Sequence, residues 1–231
     1  MGLILYGVGM GPGDRGLVTL RAVEVLKEAE VVFEPLSGRG RRSVAGDLAR
    51  DLVPGLVTVP VIFPMTGDDG ELMSSVTEAL RSTAPSWEGR STLAMPVIGD
   101  SALYSTVLSL KRGLEALGEE VELRLVPGIS AHSAASALVS RFIAMREEIF
   151  SVIPGSADPG RVREALRACD SAALYKPSAL KDRLGEVVTS SGPWERVVRV
   201  HRVGLEGERW VEGQEALEPT DDYLAVMLLW R

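Results

Sequence analysis

The sequence predicts an α/β protein with two α/β domains, because three features of its pattern agree. Short apolar segments alternate with helical segments through the first half of the chain. The last three predicted strands follow one another without a helix between them, and glycine-containing loops follow several strands of the first half. We therefore expect a mostly parallel N-terminal sheet with helices on both faces and a C-terminal mixed sheet with antiparallel strands. We expect the active site in the cleft between the two domains.

The first half opens with a strand, a helix and a second strand. Leu3 to Val8 is almost wholly apolar, as expected of a strand buried on both faces. Thr19 is a suitable N-cap for the helix that follows, and Val31 to Phe33 form the next strand. Further helices are predicted at about residues 43–51, 71–82, 103–117 and 130–140, and further strands at 56–61, 91–97 and 121–126.

The second half has a different pattern. Strands are predicted at residues 148–154, 172–175, 196–203, 209–211 and 223–229, and helices at about 159–168 and 178–190. Because no helix separates the last three strands, we expect them to pair antiparallel. The predicted domains are residues 1–143 and 144–231.

Composition excludes several classes of protein. The 231 residues contain 25 Lys and Arg against 32 Asp and Glu, for a formal net charge of −7, which argues against a nucleic-acid partner. There is no run of about 18 apolar residues, so no membrane association is expected. The one cysteine, Cys169, is consistent with a reducing cytoplasm. With only two histidines besides, no metal site is predicted.

Four glycine-containing loops follow predicted strands of the first half. They cover residues 7–14, 35–42, 96–101 and 126–130. In an open α/β sheet, ligands bind at the carboxyl ends of the strands. One such loop can be no more than a tight turn. Four at the same edge indicate a composite ligand site.

The first loop, GVGMGPGD at residues 7–14, also suggests a dinucleotide fingerprint. That fingerprint requires G-x-G-x-x-G. Counted from Gly7 its last position holds Pro12, and counted from Gly9 it holds Asp14, so the match fails in both registers. Glu34, however, stands near the position of a ribose-binding acid. An NAD-dependent Rossmann oxidoreductase is therefore the alternative, and a non-catalytic ligand-binding α/β protein is a third hypothesis.

Three motifs together resemble the tetrapyrrole (corrin/porphyrin) methylases. GVGMGPGD followed by LVTLRAVEVLKEAEVVF is similar to their GxGPGD loop, Leu-Thr helix and EADVV strand. GDSALYS at 99–105 is similar to their GDPxxYS motif, although Ser101 replaces the usual proline, and VPGISA at 126–131 is similar to VPGISS. PLSGRGRRSVA at 35–45 resembles a stretch of the precorrin-2 (cobalt-factor II) C-20 methyltransferases, the branch with the greatest likeness.

The resemblance implies an S-adenosylmethionine-dependent C-methyltransferase of cobalamin biosynthesis. Its substrate would be a reduced tetrapyrrole, methylated at carbon 20 of precorrin-2 or cobalt-precorrin-2 (cobalt-factor II), and the enzyme would be a homodimer. Matched motif by motif, the residues expected to contact the cofactor are Met10, Pro12, Asp100, Ser101, Leu103, Ser130, Ala131, Lys176, Val203, Gly204 and Leu205.

An acidic protein needs local positive charge to bind the polycarboxylate substrate that the resemblance implies. Arg39, Arg41 and Arg42 form the tightest basic cluster, and the planar guanidinium suits carboxylates. The alternative for these three residues is a solvated loop.

Other polar side chains are weaker candidates. Tyr104 and His132 are proposed to contact the substrate, although a packed or capping role is the commoner one for such residues. Asp14 is the candidate general base, with a turn or cap residue as the alternative. His201, in a predicted strand, is interpreted as structural.

Overall fold

The protein folds into two compact units, described from a computed structural model. The structure describes residues 2–38, 40, 42–64 and 68–231. The first unit runs to Ser130 and the second is Ala131–Arg231.

The first unit is built on a parallel five-stranded sheet. Its strands are β1 (Leu3–Gly9), β2 (Val31–Leu36), β3 (Thr58–Ile62), β4 (Thr92–Val97) and β5 (Val121–Val126). They lie in the order β3-β2-β4-β1-β5, and every neighbouring pair is parallel. The helices are α1 (Leu20–Glu28), α2 (Val44–Leu52), α3 (Asp69–Ser82), α4 (Ala84–Trp87) and α5 (Val107–Ala116).

Helices cover both faces of this sheet, as predicted. On one face Leu5, Phe33 and Met95 pack with the apolar side chains of α3 and α5. On the other, Val8 and Val32 pack with those of α1 and α2. Successive strand residues point to opposite faces, so strands buried on both sides must be apolar at nearly every position.

The second unit has the mixed sheet that the sequence predicts. Its strands are β6 (Phe150–Pro154), β7 (Ser171–Tyr175), β8 (Arg196–His201), β9 (Arg209–Glu212) and β10 (Ala225–Trp230), in the order β6-β7-β10-β8-β9. β6 and β7 are parallel, and the other pairs are antiparallel. β10 lies between β7 and β8, so β9 and β10 are not neighbours. The helices are α6 (Ala131–Leu138), α7 (Pro159–Arg167) and α8 (Leu184–Thr189), with 3-10 turns at Pro177–Arg183 and Glu215–Leu217.

Two predicted helices differ from the observed ones. The helix predicted from residue 103 begins at Val107, because Tyr104 has a left-handed backbone (φ 51) that a helix cannot contain. The helix predicted over 178–190 is a 3-10 segment followed by α8. Lys181, at φ 50 and ψ −133, interrupts it.

The compact units divide earlier than the predicted boundary between residues 143 and 144. Their limit falls between Ser130 and Ala131, because α6 packs against β10 of the second sheet. The sequence pattern of α6 continues the strand-helix alternation of the first half. It does not indicate that this helix packs against the second sheet. Among the described residues, no helix is both long and apolar enough to cross a membrane.

Candidate functional site

The loops that follow β1, β4 and β5 meet at a set of glycines. β1 lies between β4 and β5, so these three loops leave the sheet side by side. Gly11 N donates to Gly99 O at 3.2 Å, and Gly99 N donates to Gly11 O at 2.6 Å. A Cβ on Gly128 would lie 2.3 Å from Gly99 O and 2.7 Å from the carbonyl carbon of Gly9. We call Gly9, Gly11, Gly99 and Gly128 the glycine junction, since backbone contacts backbone there and a Cβ on Gly9, Gly11 or Gly128 would lie within 2.7 Å of another backbone atom.

The side chains of Asp100 and Ser101 connect the loop after β4 to the loop after β5 by hydrogen bonds. Asp100 Oδ2 accepts from Gly128 N at 2.9 Å, and its Oδ1 accepts from Ala102 N at 2.8 Å. The Ser101 hydroxyl donates to Val126 O at 2.8 Å. Both residues were predicted to contact a ligand. Their side chains already form hydrogen bonds with the backbone of these loops. Their groups suited to a ligand are therefore those of the backbone.

The predicted site residues in the loop after β1 also have side chains that are buried or already hydrogen-bonded. Met10 is fully buried in the core and Pro12 is also buried, so neither offers an exposed side chain. Asp14 is exposed and caps the 3-10 turn Arg15–Leu17, where its Oδ1 accepts from Gly16 N at 2.7 Å. The capping role considered for Asp14 is thus observed, and its role as a base stays a prediction.

Tyr104 is the strained residue of the second loop. A tyrosine in the left-handed region is uncommon, and such residues gather at functional sites. Its side chain is 44% exposed, and partial burial raises the pKa of its hydroxyl, which therefore stays protonated near neutral pH. The protonated hydroxyl of Tyr104 is a hydrogen-bond donor, and the backbone that carries this side chain has an unusual conformation.

In the second unit, the predicted residues share one edge of the sheet. Lys176 directly follows β7, and Val203, Gly204 and Leu205 follow β8 shortly after its end. Because β10 runs antiparallel between these strands, its start lies at the same edge. The Lys176 Nζ lies 5.4 Å from the ring centroid of Tyr223 there, a cation–π contact. Lys176 also has a left-handed backbone, with φ 52.

Tyr175 is a residue that the sequence analysis missed. Its hydroxyl accepts from His132 N at 3.2 Å and lies 2.8 Å from His132 Nδ1. The His132 ring also packs against Phe150, with centroids 5.3 Å apart. Tyr175 thereby joins the first turn of α6 to the end of β7. Its place immediately before Lys176, at the end of a strand, is the signal that could have singled it out.

We expect Tyr175→Phe to lower the free energy of unfolding of the second unit by about 1–2 kcal/mol, because the partly buried His132 N–H loses its acceptor. Thermal unfolding measures the change. The matched control is Tyr6→Phe, which removes a hydroxyl that accepts from Arg124 at 3.1 Å in a solvent-exposed hydrogen bond of the first unit. It should change stability by less than about 0.5 kcal/mol. Equal effects of the two substitutions would contradict the anchoring role.

Glu34 has a structural role in place of ribose binding. Its two carboxylate oxygens accept from Arg50 at 2.6 and 3.1 Å, and Thr58 Oγ1 donates at 2.6 Å. Burial alone raises the pKa of Glu34, but the hydrogen bonds from Arg50 and Thr58 outweigh it and hold the pKa below its usual value. The carboxylate on which the dinucleotide alternative depended is therefore already paired on both oxygens.

The predicted basic cluster is described only at Arg42. Arg39 and Arg41 lie outside the described residues. Arg42 is 87% exposed in its side chain, and its Nη2 lies 3.0 Å from Asp47 Oδ2. An exposed pair of this kind contributes little to stability, so its guanidinium can exchange partners at small cost.

Comparison with known proteins agrees with the motifs. Residues 4–217 match the family model of the tetrapyrrole (corrin/porphyrin) methylases. The chain is 30% identical over 230 residues to a protein of Methanocaldococcus jannaschii named as a probable cobalt-precorrin-2 C(20)-methyltransferase, covering 98% of this chain and 96% of the relative. It is 26% identical to the cobalt-precorrin-2 C(20)-methyltransferase of Salmonella typhimurium, covering 89% and 86%.

The fold also matches solved structures. Uroporphyrin-III C-methyl transferase from Thermus thermophilus, crystallised with S-adenosyl homocysteine, aligns with a TM-score of 0.67 at 22% identity, covering 98% of this chain and 97% of that one. The likeness therefore extends over both units.

Proposed function

Since this chain belongs to the tetrapyrrole (corrin/porphyrin) methylase family, we propose that it transfers a methyl group from S-adenosylmethionine to a carbon of a reduced tetrapyrrole. The observation that carries the proposal is the glycine junction. Three loops whose motifs match the family are held together there by their own backbone. The oxidoreductase alternative has no comparable support.

The residues of the first unit fit a ligand that is recognised through backbone groups. A Cβ on Gly99 would meet no atom within 4 Å, so one side of the glycine junction faces open space. Glycine allows a ligand to approach the backbone closely. We propose that Pro12, which has no N–H, contacts the cofactor through its C=O group. The other residues proposed to contact it do so through backbone N–H and C=O groups; they are Met10, Asp100, Ser101, Leu103, Ser130 and Ala131.

In the second unit, we propose that Lys176 and Val203, Gly204 and Leu205 complete the set. Their shared sheet edge supports this assignment. The Lys176 backbone, turned by its left-handed conformation, is suited to present N–H or C=O groups at the end of β7.

The chemistry requires orientation more than side-chain reactivity. S-adenosylmethionine supplies an electrophilic sulfonium methyl group when bound. The chain must hold the reacting carbon in line with that methyl group and keep water away. Orientation of this kind can lower a barrier by about 7–11 kcal/mol. A rigid set of loops with internally paired side chains suits that task.

We propose carbon 20 of precorrin-2 or cobalt-precorrin-2 as the methylated position, because two relatives that match this chain over most of their own length, at 30% and 26% identity, are named for that reaction. The basic cluster of Arg39, Arg41 and Arg42, together with Tyr104 and His132, is proposed to bind the substrate. Asp14 is proposed as the group that takes a proton after methylation. A cytoplasmic homodimer is part of the same proposal.

Calorimetry with S-adenosylhomocysteine and with NAD tests the proposed cofactor. We expect S-adenosylhomocysteine to bind and NAD not to bind. Binding of NAD alone would overturn the proposal in favour of an oxidoreductase. Binding of neither would favour a non-catalytic ligand-binding protein.

A methyl-transfer assay tests the proposed substrate. Precorrin-2 and cobalt-factor II are supplied side by side with S-adenosylmethionine, and the products are identified by mass and NMR. We expect one added methyl group, at carbon 20. Methylation at another carbon would reject the position and leave the class of reaction in place.

A further inference from the structure

A chain of hydrogen bonds that starts from buried side chains ends beside the proposed cofactor-binding residues of the second unit. At its centre is His201, the last residue of β8, which is 1% exposed. Arg199 Nε lies 3.0 Å from His201 Nε2, and Asp222 Oδ2 lies 3.0 Å from His201 Nδ1. Arg199 is itself 5% exposed and donates to the backbone carbonyls of Glu215, Ala216 and Glu218.

The partners of His201 fix its protonation state. An arginine Nε–H can only donate, so His201 Nε2 must accept and carries no proton. The imidazole proton is then on Nδ1, where it donates to Asp222. His201 is therefore a neutral Nδ1–H tautomer in the folded protein.

The charges around His201 oppose its protonation. Burial lowers the pKa of His201 most, and the guanidinium groups of Arg209 on β9 and Arg199 on β8 lower it further. Asp222, on the segment before β10, raises the pKa but not enough to reverse the shift. A second proton on His201 would also point an N–H at the Arg199 N–H.

The chain of hydrogen bonds continues from His201 to the turn after β8. The second oxygen of Asp222, Oδ1, accepts from Leu224 N at 3.0 Å. Leu224 O accepts from Arg202 N at 2.7 Å. Arg202 has a left-handed backbone (φ 54) and turns the chain into residues 203–205. Each bond thus restrains the next, from the Arg199 guanidinium to the residue that sets the direction of this segment.

We propose that His201 and Asp222 are positioning residues for the methyl-donor site, and that neutral His201 is required to hold residues 203–205 in their binding conformation. The inference rests on the proposed function, since it takes these residues to contact the cofactor. It assigns to a buried histidine, which appeared merely structural from the sequence, an effect on ligand affinity that depends on pH.

The test measures affinity for S-adenosylhomocysteine by calorimetry between pH 5 and pH 7.5. In the wild-type protein we expect binding to weaken as the pH falls from 7.5 toward 5, because protonated His201 cannot accept from Arg199. His201→Asn keeps a donor toward Asp222 but cannot titrate. We expect it to bind about fivefold more weakly than wild type at pH 7.5 and to lose most of the pH dependence. His132 is present in both proteins, so their difference isolates His201.

Asp222→Ala removes the link to Leu224, and we expect at least tenfold weaker binding across the pH range. The matched control is Asp221→Ala, which removes the same charge from the exposed neighbouring residue and should leave affinity unchanged. If Asp222→Ala does not fold, His201→Asn and NMR of the imidazole nitrogens still test the positioning role of His201.

Long-range proton–nitrogen NMR of the two imidazoles gives a second readout. The signals lost in His201→Asn should be those of a neutral ring protonated at Nδ1. The inference is overturned if that ring is protonated at Nε2, if Asp222→Ala binds like Asp221→Ala, or if wild type and His201→Asn share one pH profile. Wild-type protein that fails to bind S-adenosylhomocysteine at every pH would remove the proposed function, and this inference with it.

Discussion

Gly128→Ala should weaken binding of S-adenosylhomocysteine by at least about 100-fold, equivalent to about 2.7 kcal/mol. The new methyl group would lie 2.3 Å from Gly99 O, which is part of the backbone and cannot rotate away. The loop after β5 must therefore move away from the loops after β1 and β4, and the hydrogen bond from Gly128 N to Asp100 lengthens. Overpacking of this kind also lowers stability by about 1–3 kcal/mol. Calorimetry and thermal unfolding measure the two effects.

Gly70→Ala is the matched control for this substitution. Gly70 lies in the first turn of α3, where a Cβ would approach only the Asp68 carboxylate, at 3.1 Å. Alanine is favoured over glycine in a helix by up to about 1 kcal/mol, while the Asp68 carboxylate must shift slightly, so this variant should differ from wild type by less than about 1 kcal/mol. Unchanged affinity in Gly128→Ala would show that the glycine junction is not part of the binding surface.

Arg199→Met should lower the free energy of unfolding of the second unit by about 3 kcal/mol. Two effects of the substitution oppose each other. Methionine removes the desolvation cost of a buried charge, which stabilises the fold, but it also removes the hydrogen-bond donors of the guanidinium. The loss outweighs this gain, since His201 Nε2 and the Ala216 carbonyl become buried acceptors without donors, each at about 1–3 kcal/mol. For a chain of this size the unfolding midpoint should fall by about 6–12 °C, which scanning calorimetry can measure.

Arg209→Met, on the neighbouring strand β9, is the control for loss of charge and shape. Arg209 is exposed, so its replacement should change stability by less than about 0.5 kcal/mol. If Arg199→Met were as stable as wild type, the desolvation cost would dominate and the buried hydrogen bonds would contribute little.

The architecture was predictable because it depends on local pattern. Strands buried on both faces of the first sheet are apolar at consecutive positions, and each of the loops after β1, β4 and β5 carries a glycine within two residues of the end of its strand. The start of α5 was not predictable in the same way. Nothing in the local composition requires Tyr104 to adopt a left-handed conformation, which the surrounding structure imposes.

The partners of the polar side chains were not predictable, because they are distant in sequence. Asp100 binds the backbone of Gly128, 28 residues away, and His201 binds Asp222, 21 residues away. The sequence therefore predicted that Asp100 contacts the cofactor without showing that its carboxylate binds another loop. It likewise placed His201 in a strand without revealing what lies against it.

The hydrogen bonds of Asp100 and Ser101 have a consequence for the thermodynamics of ligand binding. They order the loops around the glycine junction before any ligand arrives. Fixing the backbone of a flexible residue costs about 1–2 kcal/mol in conformational entropy, and for these residues that cost is met during folding. For the proposed cofactor, the free energy of binding is then not reduced by the cost of ordering these loops, and binding need not wait for them to fold.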